Sequence, residues 1–374
     1  MMLRNTNKFL FAILAFFLSL NVFGQDLVGM AEHEGKIYHD EKQEKSLAEQ
    51  IDEDIQHHIM DSHYFDIMHD SETDTYYGFP LPVILWDNGL KVFMSSEFDH
   101  GKKVVEKDGN FYKLYHSKIY KTDAAGTLTY DDEHHPTNEK PLDFSITKTV
   151  FSIFIAFVLL FFIFRASAKS YANRAIPKGI GRYMEPLIMY VRDEIAIPNI
   201  GEKHYKKYMS FLLTIFFFIW ILNIIGMMPF GVNVTGNIAV TFALAIMTFV
   251  ITNISGNKTY WKHIFDPLGD SMPWFGKIFI YPILVPIELL GIFVKPFSLM
   301  IRLYANMTAG HIVLMSLIGL IFIFRNFGGG AMSLTLAILI SFIEFFVAAL
   351  QAYIFTALSA LYFGMAVEEH AEEH

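Results

Sequence analysis

The chain contains no cysteine. That absence excludes thiolate catalysis, cysteine-ligated zinc, iron–sulfur clusters and any disulfide framework. No Gly-rich loop ending in lysine is present to cradle phosphate, so the chain has no nucleotide site of its own. No HExxH-like cluster suits an intramembrane zinc hydrolase. A secondary transporter would show repeated halves with broken helices meeting at a midplane site, and the sequence has no internal repeat. An electron-transfer haem needs axial histidines paired across helices, yet His311 is the one histidine inside the apolar core of the membrane half. Arginine is missing between Gln25 and Asp143, where 26 acidic residues stand against 11 lysines, a net of −15.

What remains is strongly apolar. Of 374 residues, 16% are aromatic and 18% charged, and mean hydropathy is positive. Not all of that charge can lie in lipid, so the chain reads as a membrane protein with a soluble portion. The overall net charge of −9 averages the acidic stretch with a basic remainder.

Residues 1–24 read as a secretory signal peptide. Arg4 and Lys8 supply its charge, Phe9 to Leu20 its apolar run, and Val22 and Gly24 a cleavage site. The alternative is an uncleaved anchor, for which the run is short of the roughly 20 apolar residues a span needs. Residues 25–143 form the acidic soluble domain. Up to about Tyr64 it reads as helical or loosely ordered. From Phe79 onward it turns to strands: Val83–Trp86, the turn Asp87-Asn88-Gly89, then Leu90–Ser95 is a hairpin signal. Phe111–Tyr115 and Ile119-Tyr120 add further strands. Ten histidines fall here, including His57-His58 and His134-His135. Their spacing matches no compact metal motif, and solvated surface histidines are the expectation.

Residues 144–374 form the membrane domain. Phe144–Phe164 is the first expected span. The loop that follows, Arg165 to Lys207, is rich in lysine and arginine, which places it in the cytoplasm and the acidic domain outside. Within it, Ile180–Ile197 has the spacing of an amphipathic, interfacial helix. Phe211–Met228 and Ile238 to about Thr252 are the second and third spans. Asn223 and Asn237 fit either interhelical hydrogen bonding or water-holding in a proton path. The stretch from Phe279 to Phe324 is about twice as long as one perpendicular span, so it must bend, tilt or lie partly in the membrane plane, with Pro286 and Pro296 as bending points. A loop Asn326–Gly330 and a second long helix from Ala331 to about Met365 follow. The tail beyond Glu368 reads as a solvated cytoplasmic end.

The stretch Pro286–Leu320 carries Glu288, Lys295, Arg302 and His311. A charge at the bilayer centre costs about 2.5–3.5 kcal/mol on insertion scales, so four ionisable groups need a reason. At about 100° per residue, Glu288, Lys295, Ser298, Arg302 and Asn306 share one stripe. Ala305 and Ala309 flank it with side chains small enough for another helix to approach closely. Arginine is the residue type for a fixed charge in such a place. On the last helix Glu344 and Gln351, seven apart, also align.

The run Arg302-Leu303-Tyr304-Ala305-Asn306-Met307-Thr308-Ala309-Gly310-His311 resembles the signature of the a subunit of F-type ATP synthases, and the likeness extends from about Phe144 through Gln351 to the last helix. It covers the membrane part only. The resemblance implies an all-α polytopic membrane protein of about five membrane helices, the two long ones tilted in a hairpin against a ring of c subunits. The small β-containing domain is an extracytoplasmic addition. It implies proton conduction through two half-channels, with Arg302 as the essential cation facing the rotor carboxylate. Asn306 and Gln351 match polar residues beside it. His311 and Glu344 match an interacting pair in the outer half-channel, here in exchanged arrangement; Glu288 and Ser298 match positions of the opposite one, and Lys295 also matches. Implied partners are the c-ring, peripheral-stalk b subunits abutting Ile180–Ile197, the catalytic head at a distance and the lipid bilayer. The resemblance implies neither a cofactor, a metal nor nucleic acid. The expected place is a bacterial inner membrane, with the acidic domain in the periplasm and the C-terminus in the cytoplasm. Because that domain precedes the first span, it is expected to be dispensable for conduction.

Overall fold

The computed structural model describes residues 47–70, 75–131, 135–171, 176–228, 232–269, 274–324 and 326–368. The expected signal peptide, His134, Arg325 and the tail beyond Glu368 lie outside the described residues.

The first element is helix α1, Leu47–Ile59. Leu47, Ile51, Ile55 and Ile59 recur every four residues and make one apolar face. Eight strands follow: β1 Tyr64–Asp70, β2 Thr75–Pro80, β3 Pro82–Trp86, β4 Leu90–Met94, β5 Val104–Lys107, β6 Asn110–Tyr115, β7 Lys118–Thr122 and β8 Leu142–Asp143. They form three small antiparallel sheets, β1-β2, β4-β3-β8 and β5-β6-β7. The expected hairpin is β3 with β4, turning through Asn88 at φ 53°. Alternation does the sorting: Val83, Leu85 and Phe93 point inward to meet Tyr64, Phe98, Val105, Tyr112 and Ile119 in one core.

No slack separates this region from the first apolar helix, α2, Lys148–Tyr171. Phe144 N–H donates to Ile84 O at 2.8 Å, Ile146 N–H to Pro82 O at 3.0 Å and Lys148 N–H to Ser62 O at 2.9 Å. Thr149 N–H then donates to the Asp61 carboxylate at 3.1 Å. The helix starts later than the expected Phe144 and runs past Arg165, because the last β3 bonds hold residues 144–146 extended and an exposed arginine at the lipid edge need not end a helix.

Next come α3, Ile180–Tyr190, a π-helical segment Val191–Ala196, and the short α4, Ile197–Ile200. The single amphipathic helix expected over 180–197 is thus interrupted by a widened turn. Four apolar helices complete the membrane part: α5 Tyr205–Gly226, α6 Ile238–Ser255, then, after the small α7 Lys258–Phe265, α8 Trp274–Phe324 and α9 Phe327–Val367. With α2 these make five helices long and apolar enough to cross a membrane. Helix α7 forms after α6 because Asn257 caps it, accepting from Tyr260 N–H at 2.7 Å. Likewise Gly328–Gly330 lie inside α9, since Asn326 accepts from Gly329 N–H at 2.6 Å and starts the helix ahead of them.

Helix α5 lies at the centre, its residues from Tyr208 to Ile219 all buried. It packs on α2 and α9, and α8 packs on α6 and α9. Helix α8 has 51 residues and continues through Pro282, Pro286 and Pro296. At 1.5 Å per residue it measures about 76 Å, against roughly 30 Å of hydrocarbon. Large apolar side chains from Phe275 to Phe346 stay exposed along α8 and α9, as lipid-facing surfaces do.

One close approach requires glycine. A Cβ on Gly364 of α9 would sit 1.9 Å from Asn199 O in α4. The C-terminal end of α9 is seated there, and Asn257 holds it further, donating to Glu368 O at 2.8 Å.

At the other end of α8, α1 docks from outside the five apolar helices. Its Ile51 lies against Gly319, where a Cβ would meet Ile51 Cγ2 at 2.5 Å. Its His58 ring stacks on His311, centroids 5.7 Å apart and planes 13° from parallel.

Candidate functional site

Arg302 sits half-buried on α8, between the inward-facing Leu299 and Leu303 and an exposed strip of Ser298, Ala305, Asn306 and Ala309. The stripe expected from helical periodicity therefore runs along the border of the packed face. Small and polar side chains are left uncovered beside the cation. Across α9, Arg302 is close enough to Tyr362 to act on it electrostatically.

Toward the N-terminal end of α8, Lys295 lies near Glu288 and reaches α9. Its Nζ is 5.8 Å from the Tyr362 ring and 4.0 Å from Met365 Sδ. Lys295 also borders a cavity of about 20 Å³ with Thr248, Thr252, Asn253, Tyr260 and Tyr362. A cavity of that size has room for about one water molecule, but with Phe249, Ile292 and Pro296 also in its wall its surface is almost wholly apolar.

Toward the C-terminal end, Glu344 of α9 is buried over Gly310, where a Cβ would stand 3.0 Å from Glu344 Oε1. The absent side chain leaves room for the carboxylate. Neither Glu344 oxygen has a hydrogen-bond partner among the described residues, nor does Nε2 of His311. The two residues are thus neighbours across the helix contact without a direct hydrogen bond. His311, 7% exposed, is instead covered by His58, with the Lys148 ammonium close enough to act on it. By helix rise, Glu288 lies about 21 Å before Arg302 and His311 about 14 Å beyond it. The arrangement is a fixed cation between two clusters of titratable groups.

Gln351 is buried on α9 one turn from Ala348. Asn223 is the bond-maker among the amides: its Nδ2 donates to Ala348 O at 3.1 Å, and its Oδ1 accepts from Thr235 Oγ1 at 2.7 Å. Asn237 caps α6, accepting from Ala239 N–H at 2.9 Å. Both therefore make interhelical or capping hydrogen bonds.

One soluble histidine departs from the surface expectation, while His116 stays exposed. His63 is buried and bonds Asp143 at 2.9 Å through Nε2. Burial opposes charge on His63, but Asp143 and Asp61 outweigh it and raise its pKa. Asp61 is half-buried, and burial pushes its carboxyl up despite the bonds from Thr147 and Thr149 and the charge of Lys148. Among the described residues no three His, Asp or Glu side chains converge as a metal site would need. His58 and Lys148 are the residues that sequence reasoning missed. A histidine pair in an acidic helix reads as solvated, and Lys148 at the head of an apolar run reads as an anchor.

Residues 149–364 match the family described as ATP synthase A chain. Residues 54–144 match a family described only as a domain of unknown function. The ATP synthase subunit a of Myxococcus xanthus is 43% identical over 245 residues, 62% of this chain and 78% of that protein. That of Chloroherpeton thalassium is 43% identical over 241 residues, covering 62% and 70%. The ATP synthase subunit a 2 of Prosthecochloris aestuarii is 41% identical over 310 residues, 78% of this chain and 93% of that protein. This last match spans more of the chain than residues 144–374 contain, so the likeness reaches into the β-containing region and is not confined to the membrane part.

Proposed function

The chain belongs to the ATP synthase A chain family, and on that footing we propose that it is the proton-conducting stator subunit of a bacterial F-type ATP synthase. Protons pass through two half-channels to and from carboxylates on a turning ring of c subunits. The chain itself holds no nucleotide; the catalytic head does that work elsewhere in the complex, and b subunits of the peripheral stalk abut α3 and α4.

The observation that carries this reading is the half-buried Arg302 with titratable clusters on both sides along α8. Asn306, Ser298, Ala305 and Ala309 form the uncovered strip against which the ring turns, with α8 and α9 as a tilted hairpin. His311 and Glu344, with Gln351 nearer the centre, serve the outer half-channel. Glu288 and Ser298, with Lys295 and its small cavity, serve the inner one. As a rotor carboxylate comes opposite Arg302, the guanidinium favours its ionised form, so the proton must leave on one side and a new one must join from the other. The same cation bars protons from running straight through. One charge crossing 100 mV releases about 2.3 kcal/mol, so several must pass for each ATP.

Charge supports the orientation. The acidic residues 25–143 make an outer, periplasmic domain and the basic 165–207 loop faces the cytoplasm. Five crossings put the C-terminus on the cytoplasmic side.

The test is ATP-driven proton pumping in inverted vesicles. Arg302→Ala should abolish it. Arg302→Lys should rescue poorly, because a lysine can lose its proton in a low-dielectric site. Near-normal pumping by the alanine variant, with the complex assembled, refutes the reading.

A further inference from the structure

His311 needs a source of protons, yet it is buried and its Nε2 has no partner among the described residues. What covers it is α1. The contact is a seam rather than a touch. Ile51 meets Gly319, and seven residues on along α1, His58 meets His311, eight residues back along α8. Those separations are about 10.5 and 12 Å of helix, so the two helices lie side by side over two turns.

The groups facing His311 come from three elements. His58 stacks on it from α1, Lys148 acts on it from the head of α2, and Glu344 lies over the preceding Gly310 from α9. Lys148 also fixes α1 in place, its Nζ donating to His58 O at 2.8 Å. Beyond His58, three residues along the chain, begins a second cluster: the half-buried Asp61 bonded to Thr149 N–H, and the buried His63 bonded to Asp143. Titratable side chains of the β-containing region therefore stand within a few residues of His58, which itself stacks on His311.

We propose that His58 is the proton donor to His311, so that the outer proton path of this chain begins in the extramembrane region. This rests on the proton-channel reading above. An imidazole can take a proton on one nitrogen and release one from the other. In the step, an N–H bond on protonated His58 breaks and an N–H bond forms at Nε2 of His311. Because Nε2 is sealed from water, the proton crosses when the His58 ring turns out of the stack and brings its N–H toward Nε2, and nothing is oxidised or reduced. Two stacked imidazolium rings beside an ammonium repel one another, so the station passes protons one at a time and does not store them. Residues 25–143 are then part of the path, against the sequence expectation that they are dispensable for conduction.

The experiment measures ATP synthesis driven by an imposed proton gradient in vesicles holding the intact complex, as a function of pH on the side of the extramembrane region. His58→Phe keeps an aromatic ring on His311 and removes the exchangeable nitrogens. It should lower the rate at least about tenfold, toward the 10²–10⁴ of a general acid–base group, and should flatten the pH profile. His58→Ala should be slowed equally and be restored in part by added imidazole, which a packing role would not allow. If His58→Phe fails to assemble with the c subunits, imidazole rescue of His58→Ala decides. Unchanged rate and pH profile in His58→Phe, or no rescue of a slowed His58→Ala, overturns the proposal. Arg302→Ala run alongside separates the two readings: if it is inactive while His58→Phe is normal, the channel stands and the relay alone falls.

Discussion

Replacing Asp143 by asparagine should turn His63 from a stabilising cation into a burden, by an amount that depends on pH. The pair is 1% and 6% exposed with 2.9 Å between Nε2 and Oδ2. Burial works against the His63 charge, but Asp143 and Asp61 raise its pKa above the ordinary 6.5. Burial likewise pushes Asp143 up, yet His63 and Ser145 outweigh it and hold the carboxyl below 3.8. A raised histidine contributes stability that is complete below 6.5 and is lost as pH climbs through the folded value. A lowered aspartate contributes stability present above 3.8 and lost only as pH falls through its own folded value. The pair is therefore strongest in weak acid. Removing one partner of a buried ion pair costs about 3–5 kcal/mol. Once His63 is neutral in both states, only a hydrogen bond is at stake, about 1–3 kcal/mol. Hydrogen exchange of the amides of residues 82–86 and 144–148, corrected for intrinsic rate, reads the difference. With 1.4 kcal/mol per tenfold, Asp143→Asn should speed exchange by roughly 10²–4 × 10³ at about pH 5.5 and by roughly 5–10² at a pH above the raised His63 value. Equal acceleration at the two pH values refutes the reasoning.

Asn223→Leu should leave the buried Thr235 hydroxyl without its acceptor and lower stability by about 1–3 kcal/mol, whereas Asn223→Leu with Thr235→Val should recover much of that; thermal unfolding in detergent compares the two. Gly364→Val should force α9 off the Asn199 carbonyl at a cost of about 1–3 kcal/mol or more, seen as faster proteolysis at residues 201–204.

Local pattern made the membrane helices, the β3–β4 hairpin and the Arg302 stripe readable, because each repeats at a short period or turns on neighbouring residues. Boundaries moved where a cap or a strand bond outvoted composition: Asn326 draws three glycines into α9, and β3 keeps Phe144 out of α2. The roles of Asn223 and His58 were not readable. Each depends on a partner more than a hundred residues away, Ala348 for one and His311 for the other. No window of sequence holds both halves of such a contact.

The docking of α1 on the C-terminal part of α8 also sets an order of assembly. Helix α1 leaves the ribosome about 250 residues ahead of His311. At roughly 5–20 residues per second it waits on the order of tens of seconds for its counterpart. Through that interval Ile51 and Ile55 have no α8 to cover them, even though the sheets beside them can already fold. The seam closes only after all but the last crossing has been threaded. Contact between Ile51 and Gly319 therefore reports that insertion has reached α8, and a chain stopped after α7 would display an uncovered α1.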